Sequence, residues 1–490
     1  MILKTMTFTY RMKKLILALS GAFLLIQSVS AQQIELGNLA GREAAVRQGS
    51  SWGVPFEKGS VRKDAVFELS SDGVSVPVST WPLACWPDGS LKWLGLATVA
   101  EPGMNSLTLS VRPAPKRGRR TAKAEPAVTA LAEQTAEGIR VNTGAMTCLF
   151  PASGGCFIKD MRLGDGTVVS AAELVAILEK REGRTVEYED FESAVSSVSI
   201  VQNTPMRAVV KVEGKHKSLT GSREWLPFKL FCVMYKDMAT VSLTHSFLFD
   251  SDGKEDHIKG IGVSFEVPFR DEVHNRHVRF AGDGEDGAGF WCQPVRLAPG
   301  YRPSAGSVFV DNYAEYLQGK RLPSVEELGE RERAAMLTCP VWGDMRLVQA
   351  GPNGFSIDKR TTDKSSWVHV TDGGRSIGGA LLGDTRGSVF VGVKDFWQSC
   401  PSALHVDRAG EDKGYLTAWL WAPDGEAMDM RHYDTVGHDL KINYEDFKEG
   451  WESPYGVGHR STLEIRLFDG IPSGDELLAV ARAVQKPVQY

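Results

Sequence analysis

Apolar and polar residues alternate one by one through short segments spread over most of this 490-residue chain, and that habit limits its fold more than any other. Ala208-Val209-Val210-Lys211-Val212-Glu213, Phe228-Lys229-Leu230-Phe231-Cys232-Val233-Met234, Thr240-Val241-Ser242-Leu243-Thr244, Gly262-Val263-Ser264-Phe265-Glu266-Val267 and Val389-Phe390-Val391-Gly392-Val393 all show it. Successive side chains of an extended backbone point to opposite faces, so alternation builds half-buried strands. Residues 127–486 therefore predict a large antiparallel β-sandwich. Nearer the start, Ser70-Ser71-Asp72-Gly73 and Asp88-Gly89 each separate two apolar alternations. Glycine accepts the positive φ of a tight turn, so these are hairpins and residues 33–112 read as a small β-barrel or sandwich. Residues 113–126, rich in Lys, Arg, Pro and Ala, read as a solvated linker. Helices are few. Ser324 and Ser473 each stand three residues before a Glu, a capping-box spacing that opens helices over 325–337 and 474–485, and residues 171–180 form a third helical candidate.

Met12-Lys13-Lys14 precedes an apolar run from Leu15 to Ile26, and Val29-Ser30-Ala31 supplies a small-x-small cleavage site. Residues 1–31 thus read as a signal peptide, and a secreted or periplasmic protein is expected. The run is short for a bilayer span of about 20 residues, and no later stretch suits one. A net charge of −5 argues against a nucleic-acid partner, which needs a basic surplus. Seven cysteines without metal-ligand spacing read as mainly reduced core residues, with at most one bridge.

The densest chemistry lies in His274-Asn275-Arg276-His277-Val278-Arg279-Phe280. Two imidazoles and two guanidiniums suit an anionic ligand, although period two puts His274 and Arg276 on one face and His277 and Arg279 on the other. The alternative is a solvated edge strand whose bases pair with Asp271, Glu272 and Asp283. Phe396-Trp397-Gln398, Trp419-Leu420-Trp421 and Met430-Arg431-His432-Tyr433-Asp434 add flat rings and polar groups of the kind that grip sugars, with core packing and loop networks as alternatives. No serine elbow, phosphate-binding glycine loop, dinucleotide fingerprint or zinc helix is present. Hydrolysis of a glycosidic bond needs two opposed carboxyls, and no spacing marks such a pair. Asp250 to Asp256 reads as a turn, with a calcium site as the alternative; no other cofactor is expected. Eliminative cleavage of a uronide needs a cation on the carboxylate and a base for the C5 proton. Arg276, Arg279 or Arg431 can clamp the carboxylate, while His277, His432 or Tyr433 can move the proton.

Trp52-Gly53-Val54-Pro55-Phe56-Glu57-Lys58-Gly59, followed by Trp86-Pro87-Asp88-Gly89-Ser90-Leu91-Lys92-Trp93, resembles the N-terminal module of exo-acting rhamnogalacturonan lyases of polysaccharide lyase family 26. His257-Ile258-Lys259-Gly260-Ile261-Gly262, His274 to Phe280, Asp395 to Ala403, and Trp419-Leu420-Trp421-Ala422-Pro423 through Thr435 resemble that family's central sandwich. The resemblance implies a small RIFT-type barrel, then a large mutarotase-like β-sandwich, then an α/α toroid beyond residue 490. It also implies an acidic plant-type polysaccharide as substrate, cleaved by β-elimination, and allows for a separate toroid-bearing polypeptide. His277, His432 and Tyr433 are the catalytic candidates, and His274, Arg276, Arg279, Trp397, Gln398, Trp421 and Arg431 the binding candidates. The rivals are a glycan-binding fragment without activity, a glycoside hydrolase, and a structural protein with salt-bridged basic clusters.

Overall fold

A computed structural model of the protein describes residues 32–39, 41, 43–114, 130–283, 289–297, 313–430 and 454–490. The first domain is built from two small antiparallel sheets. One runs in the order Gln32–Gly37, Ser106–Arg112, Val66–Ser71, Val74–Val76, and the other sets Leu91–Ala100 between Gln48–Pro55 and Ser79–Cys85. Both expected turns are present, with Asp72, Gly73 and Gly89 at positive φ. Val54, Phe56, Leu69, Leu94, Leu96 and Leu109 form the core of this barrel-like unit.

The second domain is one closed antiparallel system with two principal layers. The first layer runs Gly166–Glu182, Asp256–Pro268, Lys413–Trp421, Ser402–Asp407, Asp344–Gly351, Gly354–Arg360, Val368–Gly373. The second runs Thr240–Leu248, Gly458–Phe468, Gly387–Val393, Gly379–Asp384, Arg276–Ala281, Phe290–Pro294. Their inward side chains, among them Leu174, Phe265, Leu416, Leu347, Val278, Phe280 and Val391, meet in a single core.

Helices are short: Tyr313–Leu317, Glu330–Thr338 and Gly474–Gln485. The last lies where its capping box places it, with the Glu476 N–H donating to Ser473 Oγ at 3.2 Å. It packs Leu477, Val480, Ala481 and Val484 onto Ala281, Leu381 and Phe390, closing the outer face of the second layer. The helix expected over 325–337 is split into a 3₁₀ turn, Val325–Glu327, and the helix Glu330–Thr338, with Gly329 between them.

Residues 171–180 are not helical but lie inside the strand Gly166–Glu182. Good helix formers are overruled there because strands pair along both edges. Ala172, Leu174, Ala176 and Leu178 then point into the core at period two. The cysteines are reduced, as the sequence suggested, and none forms the one bridge it allowed. All seven cysteines are free thiols, and burial pushes the Cys148 thiol up to about 12. Among the described residues no helix is long and apolar enough to cross a membrane. The proposed signal peptide lies outside the described residues, as does all but the first two residues of the linker.

Candidate functional site

The basic segment 274–280 divides between three environments. Residues 273–275 are a 3₁₀ turn, so the strand starts only at Arg276, and all six residues of Arg276–Ala281 are buried. It is an interior strand rather than a solvated edge, paired on both sides. His277 and Arg279 lie on the face closed by helices. His277 is fully buried with its ring 5.9 Å from that of Tyr316, and Arg279 donates to the Pro472 carbonyl. Neither is open to a polymer. Burial, with Arg279 alongside, pushes the His277 imidazole down to about 3. Arg276 spends its guanidinium on the carbonyls of Asp271, Ala409 and Glu411 and lies 4.3 Å over the Phe269 ring. His274 places Nε2 3.0 Å from the Pro323 carbonyl and Nδ1 3.4 Å from Glu272, and its net shift is downward because burial outweighs both contacts. His274 and Arg276 do share the edge of one open cleft.

The remaining candidates are scattered. Trp397 sits half-buried in the turn after Gly387–Val393, with the Arg375 guanidinium 4.3 Å from its ring centre; Gln398 beside it is exposed. Trp421 ends its strand opposite Ile261, half-buried against the main core, its indole N–H donating to the Glu426 carbonyl at 3.0 Å. Arg431, His432 and Tyr433 lie outside the described residues. The acidic stretch 250–256 is a turn in which Asp250 accepts the Leu226 N–H and pairs with Lys215, while Asp256 pairs with Arg223.

Register brings together a constellation that sequence reading missed. Across the first layer, Glu173, Ser264, Thr417, His405, Arg346, Asp358 and His369 are successive cross-strand partners on its outer face. At about 4.8 Å per strand the row extends about 29 Å. Thr417 donates to Ser264 at 3.0 Å. At its other end Arg346 binds two acids, Asp358 through Nε at 3.2 Å and Asp424 through Nη1 at 2.8 Å. His369 contacts Asp358 at 3.2 Å and His405 Nε2 lies 3.0 Å from Asp424. The result is an alternating chain, His405, Asp424, Arg346, Asp358, His369. Burial raises the Asp424 carboxyl, but His405 and the Arg346 charge outweigh it, so the net shift is downward. Glu173 is pushed up by burial and then by Glu192 and Glu266, and Asp407 by burial. Arg346 and Arg360 both lie on the Trp367 ring, 4.2 and 4.3 Å from its centre.

Three motifs singled out in the sequence converge beside this chain. A Cβ on Gly260 or Gly262 would come within 3.0 Å of Trp419, so these glycines let the indole lie against the strand. Ala422 N–H donates to the Pro401 carbonyl at 2.8 Å, and the Trp419 ring centre is 6.1 Å from that of His405. Chemically, His405 is a titratable acceptor held by a carboxylate, next to indole surface and a row of hydroxyl and charged groups. The signal that marks it is charge at alternate strand positions: Asp344 and Arg346, Asp358 and Arg360, His405 and Asp407.

Residues 32–112 match the PcRGLX-like N-terminal RIFT barrel domain, and residues 130–482 match the PcRGLX-like protein central beta sandwich domain. The chain belongs to the PcRGLX-like, rhamnogalacturonan lyase-like family. An uncharacterized protein of Bacillus subtilis (strain 168), YetA, is 32% identical over 451 residues, covering 90% of this chain and 50% of the relative. This PcRGLX-like chain thus spans about half the length of that curated relative. Among solved structures, a glycosyl hydrolase family 38 protein from Enterococcus faecalis is 9% identical with TM-score 0.42, covering 93% of this chain and 46% of that one. A galactose mutarotase-like protein from Lactobacillus casei is 9% identical with TM-score 0.29, covering 67% and 99%. Likenesses this distant carry no argument.

Proposed function

We propose that this PcRGLX-like protein is exported and acts on pectic, uronate-containing polysaccharide, cleaving it by β-elimination along the outer face of the first layer. The observation that carries the reading is His405 held by Asp424 in a chain of alternating charge, beside Trp419 at the point where three motifs meet. Indole faces stack on sugar rings, and the Ser264, Thr417 and Glu173 row supplies partners for hydroxyls. In elimination a cation neutralises the uronate carboxylate and a base removes the C5 proton. The C–H electrons form the C4–C5 double bond, the C4–O bond breaks, and the departing oxygen gains a proton. His405 is our base. Arg346 already answers two carboxylates, so the clamp is assigned to Arg431, and the proton donor to His432 or Tyr433, which follow Asp424 within nine residues in the sequence.

The test is to incubate the protein with rhamnogalacturonan and follow ultraviolet absorbance of the unsaturated uronate. His405→Ala and His432→Ala are each expected to lower the rate by about 100-fold or more. Undiminished rates in both would sink the mechanism. A second reading is that these two domains supply glycan binding and the chemistry lies outside them. That reading expects saturable binding of the polymer, weakened by Trp421→Ala, with flat absorbance.

A further inference from the structure

The open cleft that His274 and Arg276 border lies beyond the Pro268 end of the strand Asp256–Pro268, and no residue of the row from Glu173 to His369 lines it. It measures about 490 Å³ and collects Arg270, Arg276, Arg296, Arg321 and Arg386 from four separate parts of the chain. Gathering like charges opposes folding unless something holds them. Here that is a pair of buried carboxylates turned inward. Asp271, its side chain 2% exposed, binds Arg321 at 2.7 and 3.4 Å, Thr385 at 2.6 Å and Asn275 at 3.3 Å, with Arg386 3.8 Å away. Asp384 accepts the backbone N–H groups of Arg270, Asp271 and Arg386. Burial raises the Asp271 carboxyl, but Arg321, Thr385 and its other donors overcome this and bring it down to about 2.

Five arginines against the two carboxylates that line the cleft, Asp271 and Glu272, leave its surface cationic. Arg321 and Arg386 are 46% and 53% exposed, Arg270 is exposed, and Arg296 has a buried Nε without a hydrogen-bond partner among the described residues. The opposing groups at the rim are few. Glu272 is engaged with the Val325 N–H and His274, and Glu327 with the Ser324 N–H. Phe269, Val273 and Val325 add apolar floor.

We propose that this cleft is an accessory binding site for the carboxylates of an oligo-uronate, separate from the His405 face. Exposed guanidiniums held in fixed positions match carboxylates bidentately, and their attraction falls with added salt. The apolar floor takes the carbon faces of the sugar and sets this ligand apart from a bare oxyanion. Only the identity of the sugar acid rests on the pectic reading above.

Calorimetric titration of the whole protein with tetragalacturonate decides it. Wild type is expected to bind it and to ignore a neutral galactose tetramer. Arg386→Glu and Arg321→Gln are each expected to weaken binding tenfold or more. Among the described residues the Arg386 side chain has one ion pair, the 3.8 Å contact with Asp271, and it is 53% exposed, so its replacement keeps the test intact if the Arg321 variant fails to fold. Unchanged affinity in Arg386→Glu overturns the site, and so does inorganic phosphate binding as tightly at equal concentration. Arg386-dependent binding without any elimination product would reject the lyase mechanism and keep this cleft.

Discussion

Individual buried histidines give this protein an acid sensitivity unrelated to its candidate chemistry. Burial pushes His216 down to about 4, against the pull of the Leu226 carbonyl at 2.8 Å. Burial pushes His245 to about 3, with His216 and His459 adding to it, and His277 to about 3, helped by Arg279. All three are neutral in the folded state. Unfolded histidine titrates near 6.5, so below that pH the unfolded chain takes up protons that the folded chain refuses until about pH 3–4. Stability is therefore whole above about pH 6.5 and falls as pH falls, by on the order of 1 kcal/mol per pH unit for each group. Asp271 acts lower, between its ordinary 3.8 and about 2, where protonation removes its stabilising contacts. Thermal melts from pH 7 to 4.5 should show a steep fall in midpoint, and His245→Leu should make it visibly shallower. A flat profile in wild type would contradict the buried, neutral state of these rings. His405, by contrast, keeps a solvent-facing edge and a carboxylate neighbour, and separating those two kinds of histidine needs burial that the sequence does not state.

Among elements, the helix Gly474–Gln485 does two jobs: it seals the outer face over Ala281, Leu381 and Phe390, and Gln485 ties it to the Ile377 and Val393 carbonyls at 2.8 Å each. Ser473→Ala removes its cap and should cost about 1 kcal/mol, read as faster amide exchange across 474–485 with the sheet beneath unchanged. Equal exchange in the two proteins would mean packing alone fixes that end. This helix was legible because capping box and apolar spacing agree. Residues 171–180 misled because Ala, Leu, Glu and Lys are good helix formers, and only pairing with residues 256–266 and 185–192 makes them a strand. The strands themselves were legible from alternation, but their neighbours were not. The row from Glu173 to His369 joins residues up to 244 positions apart, because its two ends are connected only through six successive pairings, and no local pattern encodes which strand lies next to which. Likewise His277 and Arg279 looked available because basic residues normally face water, and their cover comes from helices remote in sequence.

At the scale of the whole molecule, the two domains are joined by more than the segment that links them in sequence. A Cβ on Gly49 would fall 2.0 Å from the Tyr235 ring, and one on Gly95 2.3 Å from Trp81, so both glycines clear space for aromatic rings at the seam that Ala97, Val99, Met206 and Met238 complete. The last residues return to the first domain. Ser50 Oγ donates to the Val488 carbonyl at 3.1 Å, Leu39 N–H to the Gln489 carbonyl at 2.7 Å, and the Tyr490 ring lies 5.3 Å from Trp52 within the barrel core. Since Gly474–Gln485 is packed on the sandwich, the segment after it acts as a strap that transmits the position of one domain to the other. Tyr490→Ala should cost about 3 kcal/mol, the scale of losing a large buried ring, and that loss should fall on the first domain alone. Calorimetry is then expected to replace one transition by two, with an early event accompanied by a red shift in the emission of Trp52. Gly49→Val attacks the same junction from the opposite side and should give the same early event. A single transition, lowered as a whole in both variants, would instead mean that barrel and sandwich unfold as one unit and that the strap carries no separate coupling.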